Sequence, residues 1–167
     1  MLDLLAALWK YDRSGRNQKQ KISFEIPEAE VNLYLAYSLR FAPRPGIESV
    51  KVQLLPNSEV QATAVLDLGA VARWNPGTVP VALQPLLSGR REIHLDVQWE
   101  ARKGVLNFTL KNAFGPDHKE IPPKIAASII RSIGSQQPEE YDTSEPITLP
   151  FGLQRVWTEN HLLCGET

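Results

Sequence analysis

The stretch that decides the fold is residues 28–41, EAEVNLYLAYSLRF. At helical spacing of about 100° per residue, its apolar side chains point in nearly every direction. One stripe along the helix holds Val31, Leu35 and Leu39. The opposite side carries Leu33, Tyr34, Tyr37 and Phe41. A helix that is apolar all round is normally buried all round. We therefore predict that the rest of the chain encloses this helix.

The segments that follow alternate apolar and polar residues, as half-buried strands do. One hairpin is predicted within residues 50–68 and a second within residues 93–111, and each can pair antiparallel with one face inward and one face wet. The inward residues of the longest alternations are Val60, Ala62, Ala64, Leu66 and Leu68, then Ile93, Leu95, Val97, Trp99 and Ala101. Residues 22–26 give a further strand, and a closing hairpin is expected near the C-terminal end.

A second helix is predicted after Pro122 and Pro123, because proline is favoured in the first helical turn. Its isoleucines lie on one arc and Lys124, Ser128, Arg131 and Ser132 on the other, so this helix should be amphipathic. The predicted class is α+β: a strongly curved antiparallel β-sheet wrapped around a buried helix, with a second amphipathic helix.

Length and composition predict a single folded domain. A chain of 167 residues can bury a sizeable core without metals or disulfides. We divide it into an N-terminal helix and polar linker at residues 1–21 and one α+β domain at residues 22–165. The opening MLDLLAALW is too short to span a bilayer and is interrupted by Asp3, so it does not resemble the core of a signal peptide. A leader or anchor before residue 1 stays open.

Charge and cysteine content exclude several classes of function. The formal net charge is −1 and no basic stripe is visible, so nucleic-acid binding is not expected. The single cysteine, Cys164, excludes an intramolecular disulfide and a cysteine-rich zinc site.

No catalytic signature is present. The chain lacks a glycine-rich phosphate loop and a serine elbow, and His94 falls on the wet face of a strand. The loop Asp117-His118-Lys119-Glu120 could offer ligands to a divalent ion, but it lacks the spacing of a known metal site. We predict no enzyme activity, no catalytic residue, no metal and no cofactor, and keep an enzyme built on this loop as the third hypothesis.

One resemblance adds to this interpretation. Residues 28–35, EAEVNLYL, resemble the acidic helix opening of small bacterial envelope proteins that are related in fold to the tubular lipid-binding superfamily of bactericidal/permeability-increasing protein. Residues 46–52, 89–97 and 149–156 look like the strands and closing segment that follow in those proteins. The resemblance implies a bent sheet that encloses a helix and leaves an apolar groove for a lipid, with no catalytic residues.

The leading hypothesis is therefore non-enzymatic binding of a lipid or other apolar ligand in a groove between curved sheet and helix. The candidate lining residues are Leu35, Leu39, Leu66, Val97, Trp99, Phe108 and Ile129. The alternative is a structural or adaptor domain of the cell envelope, with a filled core and a protein partner. Contact with a membrane surface or an envelope protein would fit either hypothesis. We expect a periplasmic or otherwise exported location, and a cytoplasmic one stays open.

Overall fold

The structure is a computed structural model that describes residues 2–16 and 21–167. Residues 17–20 of the predicted linker lie outside these ranges. The described chain has four α-helices, α1 (Leu2–Arg13), α2 (Glu28–Phe41), α3 (Leu68–Trp74) and α4 (Pro123–Gly134). Its strands are β1 (Ser23–Pro27), β2 (Ile47–Leu55), β3 (Glu59–Asp67), β4 (Arg90–Arg102), β5 (Val105–Phe114), β6 (Ile147–Thr148), β7 (Arg155–Glu159) and β8 (Leu162–Glu166).

The larger sheet has the order β2-β3-β4-β5-β6, is antiparallel throughout and curls strongly into a half-barrel. The predicted class, α+β with a strongly curved antiparallel sheet, is confirmed. Register follows the alternation read from the sequence, because Ala62 pairs with Leu95 and Val60 pairs with Val97 on the same face. A register shift after Asp96 adds one residue, Lys111, to β5 opposite β4.

The amphipathic helix α4 packs on the apolar face of this sheet. Ala126, Ile129 and Ile133 of α4 are buried in the main core, with side chains of the sheet, of α3 and of the connection between α3 and β4. Between β3 and β4 the chain forms α3 and then a 3-10 turn at Val81–Leu83. Ser132, predicted to face water, is 2% exposed.

The prediction that α2 is enclosed all round is wrong. None of its residues is buried, and Leu33, Tyr37 and Phe41 are 72%, 53% and 66% exposed. The helix lies instead along the free edge of β2, where its polar side chains satisfy strand backbone groups. The helix that fills the curl of the sheet is α4. A helical wheel shows which side chains share a face of a helix, but it does not show whether each face packs against protein or is exposed to water.

The remaining strands form a second, three-stranded antiparallel sheet with the order β1-β8-β7. The sequence predicted these strands but did not separate them from the main sheet. A second apolar cluster lies beneath this sheet and is completed by α1, which contributes Leu8, 3% exposed, beside Ala101, Leu149 and Leu153. The N-terminal helix thus packs on the domain itself.

Candidate functional site

The candidate site is an apolar groove of about 400 Å³ between the curled sheet and α4. Its floor is the inward face of four strands, with Val50 of β2, Ala62, Ala64 and Leu66 of β3, Leu95 and Val97 of β4, and Phe108 and Leu110 of β5. One wall is α4, through Ala127, Ile130 and Ile133. Ile47 closes one side beside Val50. We call this space the apolar groove.

Small side chains create the space. Ala62 and Ala64 lie on the floor and Ala127 lies on the helix, at positions where neighbouring elements carry Val, Leu or Ile. An alanine in a strand fills less of the inter-layer volume than the β-branched residues that usually occupy it. The alternation predicts that Ala62 and Ala64 face inward, and their small size is the feature of the sequence that indicates a void.

A short segment at residues 141–144, the cover segment, contributes Tyr141, Thr143 and Ser144 to the lining of the groove. An ion pair fastens it to α4, with Arg131 Nε 2.9 Å from Asp142 Oδ2. Ser144 donates two hydrogen bonds to Asp142 Oδ1, from its backbone N–H at 2.8 Å and from its hydroxyl at 2.6 Å. These bonds, together with Arg131, hold the pKa of Asp142 below its usual value.

The cover segment is also the polar part of the groove. Thr143 and Ser144 place hydroxyl groups at its rim. Burial raises the pKa of Tyr141, with the nearby Arg44 acting in the opposite direction. A ligand with an apolar chain and a polar end would find hydroxyl donors and acceptors only on this side, so the groove has a built-in polarity.

The structure divides the predicted lining residues. Leu66, Val97 and Phe108 line the apolar groove. Ile129 lies in the packed core beneath it, while its helix neighbours Ala127 and Ile130 reach the groove. Leu35 and Leu39 belong to α2 at the sheet edge and do not line the groove.

Trp99, the remaining predicted lining residue, lies further along β4, outside the groove. Its ring meets the Phe108 ring edge-on at a centroid distance of 6.3 Å. The Trp99 indole N–H is buried without a hydrogen-bond partner among the described residues. Trp99 instead borders a wider, polar cleft of about 780 Å³ between the end of β4, the β2–β3 turn and β7.

The loop with Asp117 and His118 brings two histidines together. The rings of His94 and His118 stack at a centroid distance of 5.5 Å on the polar face of the sheet. His94 Nε2 lies 3.3 Å from Glu92 Oε1, and its Nδ1 lies 3.1 Å from the Thr63 hydroxyl. Within residues 2–16 and 21–167, no group of three or more His, Cys, Asp or Glu side chains could hold a metal ion.

Cys164 is buried in β8, and burial raises the pKa of its thiol. His161, three residues away, is turned to Glu28 instead, with 2.8 Å between His161 Nδ1 and Glu28 Oε2. A thiol whose neutral form is favoured is a poor nucleophile.

Comparisons with known proteins add no relative: the chain matches no protein-family model, no curated protein and no solved structure. Among the described helices, none combines the length and the apolar character that a membrane span requires.

Proposed function

We propose that this protein binds a lipid acyl chain, or another elongated apolar ligand, in the apolar groove and performs no chemistry on it. The observation that carries the proposal is the groove itself. Its volume of about 400 Å³ lies within the range of about 300–1,000 Å³ that small-molecule sites occupy. Its floor and helix wall consist of alkyl and aromatic side chains, so it offers dispersion contacts and exclusion of water.

The resemblance to envelope proteins of the tubular lipid-binding kind is part of the same proposal, as is an exported location. Support for them comes from the order of sequence segments. The helix packed in the curl of the sheet is α4, not α2 as the resemblance led us to expect. The adaptor alternative required a filled core, and the apolar void beneath the cover segment favours the ligand-binding hypothesis over it.

Displacement of a dansyl-labelled fatty acid by unlabelled fatty acids of increasing length tests the proposal. Each methylene buried contributes about 0.8 kcal/mol, so affinity should rise about fourfold per methylene and level off when the groove is full. Absence of probe uptake, together with no lipid in native mass spectra of the purified protein, would refute ligand binding.

A matched pair of variants locates the binding. Ala62→Phe places a ring on the groove floor, whereas Gln61→Phe adds the same ring on the opposite, exposed face of β3. We expect Ala62→Phe to lower probe affinity at least tenfold and Gln61→Phe to leave it unchanged. Equal affinity in both variants would place the ligand elsewhere.

A further inference from the structure

The outward side of α2 carries a row of large apolar side chains that no other element of the described residues covers. Leu33, Tyr37 and Phe41 follow one another at intervals of four residues and are 72%, 53% and 66% exposed. Residues four apart are neighbours on a helix surface, and the Tyr37 and Phe41 rings are 4.5 Å apart between centroids. We call this row the α2 ridge. Single exposed apolar residues are common on proteins, but a contiguous row marks an interaction surface.

Positive charge accompanies the C-terminal half of the ridge. Arg40 lies with its guanidinium carbon 5.9 Å from the centre of the Phe41 ring, and Arg44 is exposed two residues after the helix cap at Ala42. Lys51, exposed on the adjoining strand β2, is not part of this group, because it interacts electrostatically with Glu28 in the first turn of α2. Neither Arg40 nor Arg44 forms an ion pair with another described residue.

The nearby acidic groups are placed away from this half or are paired. Glu28 and Glu30 are in the first turn of α2, and Glu30 is about 15 Å along the helix from Arg40 at 1.5 Å per residue. Glu28 is bonded to His161, and Glu48 forms an ion pair with Arg90, 2.6 Å between Oε1 and Nε. The exposed apolar half-helix is therefore flanked by two arginines that form no ion pair with the described residues.

The ridge is continuous with the apolar groove. A shallow depression lies between α2 and β2. Its apolar lining is Ala29, Leu33 and Ala36 on the helix and Val50 on the strand, and Asn32 and Lys51 complete it. Val50 also lines the apolar groove. Apolar surface thus runs from the ridge across the edge strand to the groove.

We propose that the α2 ridge seats this protein on an anionic lipid bilayer. Aromatic and aliphatic side chains with arginines beside them match the boundary between acyl chains and anionic headgroups, where the ring enters the apolar layer and the cation stays at the phosphates. Charge complementarity argues for an anionic surface over a neutral one. The proposal goes beyond ligand binding and does not require it, because a protein with an empty groove would dock in the same way.

Flotation of the full chain with phosphatidylcholine vesicles, with and without about one-third phosphatidylglycerol, tests the proposal. The protein should float with the anionic vesicles, and raising the salt concentration should weaken the association because the charges are exposed. Arg40→Gln/Arg44→Gln should lower the affinity for anionic vesicles about 30-fold (about 2 kcal/mol), since each basic residue at such a surface contributes about 1 kcal/mol.

A second set of variants, in which apolar side chains of the ridge are replaced by serine, tests the apolar contribution to docking. Leu33→Ser/Phe41→Ser should abolish flotation, and the control Val81→Ser, at a side chain 79% exposed outside the ridge, should float like the unaltered protein. These positions are exposed, so melting temperatures should stay close to that of the unaltered protein and exclude misfolding as the cause.

Three results would overturn the proposal. The first is the absence of flotation with anionic vesicles, and the second is flotation that the ridge variants leave unchanged. The third is a concentration-dependent dimer in analytical ultracentrifugation that the same variants dissociate, without vesicle binding, since the ridge would then be an interface between copies. Groove uptake of the dansyl probe is measured separately without vesicles, so loss of docking and loss of ligand binding are distinguishable.

Discussion

The side-chain amide of Asn32 makes two hydrogen bonds to the backbone of Val52. The Val52 N–H donates to Asn32 Oδ1, and Asn32 Nδ2 donates to the Val52 carbonyl oxygen, each at 2.8 Å. The Asn32 side chain therefore makes the two hydrogen bonds to Val52 that a neighbouring strand would otherwise make at this edge of the main sheet. One turn earlier, Glu28 Oε2 accepts the Leu54 N–H at 2.7 Å. Exposed strand edges invite pairing with other chains, and α2 occupies this one.

Asn32→Ala should destabilise the protein by about 1–3 kcal/mol, because it removes both bonds and leaves a part-buried N–H and carbonyl without partners. Urea unfolding followed by circular dichroism measures the loss. Asn107→Ala, on the exposed face of β5, is the matched control and should change stability by less than about 0.5 kcal/mol. Equal effects at both positions would contradict the role assigned to Asn32.

Glu28 should give the protein a pH-dependent component of stability. The hydrogen bond from His161, with that from the Leu54 N–H, lowers the pKa of Glu28 below its usual value of 4.5, against the effect of burial. A carboxyl with a depressed folded-state pKa stabilises above its unfolded pKa, and this contribution is lost as the pH falls through the folded-state value.

The stability difference between the unaltered protein and Glu28→Gln should therefore shrink as the pH is lowered from 6 through about 4.5 and below. Thermal unfolding at a series of pH values measures it. Glu139→Gln, in an exposed loop, provides the control for a general change in charge. A difference that stays constant down to about pH 3 would show that the Glu28 carboxylate does not stabilise the fold.

The assignment of α4 as the core helix predicts contrasting costs in the two helices. Ile129→Ala should cost about 2–5 kcal/mol, because this side chain is 3% exposed within the main core. Leu33→Ala, at a side chain 72% exposed, should cost under about 1 kcal/mol. A larger loss at Leu33 than at Ile129 would restore α2 as the enclosed helix.

Gly134, the last residue of α4, allows the backbone at Tyr141 to pass close to the end of the helix. A Cβ at this position would collide with the carbonyl oxygen of Tyr141. Gly134→Ala should displace the cover segment, lower the melting temperature and speed release of the dansyl probe, although alanine is the better helix former by about 1 kcal/mol.

Gly69→Ala is the comparison for this variant. Gly69 is also helical, but the two atoms nearest to an added Cβ are side-chain atoms of Asp67 and Arg73, at 3.2 and 3.5 Å, and not a backbone carbonyl oxygen. Its effect on stability should be smaller and probe release should not change. Unchanged release in Gly134→Ala would mean that the cover segment does not control access.

Sequence reasoning predicted the main sheet well, because period-two alternation along β3 and β4 fixes which side chains share a face. It failed at α2, since burial was inferred from the apolar coat alone. A usable signal was present: Glu28 and Asn32, four residues apart, place polar groups on one side of the helix, as a helix facing strand backbone requires. It also could not separate β1, β7 and β8 from the main sheet, because alternation gives faces and not partners.

For the site, alternation placed Leu66, Val97 and Phe108 on the inward face, and these three line the groove. Alternation does not distinguish inward residues that pack in the core from inward residues that line a void. It therefore did not predict that Ile129 lies in the core and that Trp99 lies beside another cleft. That distinction depends on how closely layers approach, a property of tertiary packing. The cover segment carries no periodicity and was invisible to pattern reasoning.

The hydroxyl of Thr158, a residue 1% exposed, lies within hydrogen-bond distance of the carbonyl oxygens of Leu55 and Glu59. These carbonyls lie at the two ends of the turn that joins β2 to β3. The Thr158 side chain of the smaller sheet therefore contacts both strands of a hairpin in the larger sheet. Separating the two sheets would therefore break the contacts of the buried Thr158 hydroxyl with the hairpin of the larger sheet. The molecule should consequently melt as one cooperative unit, with matching transitions by tryptophan fluorescence and far-ultraviolet circular dichroism.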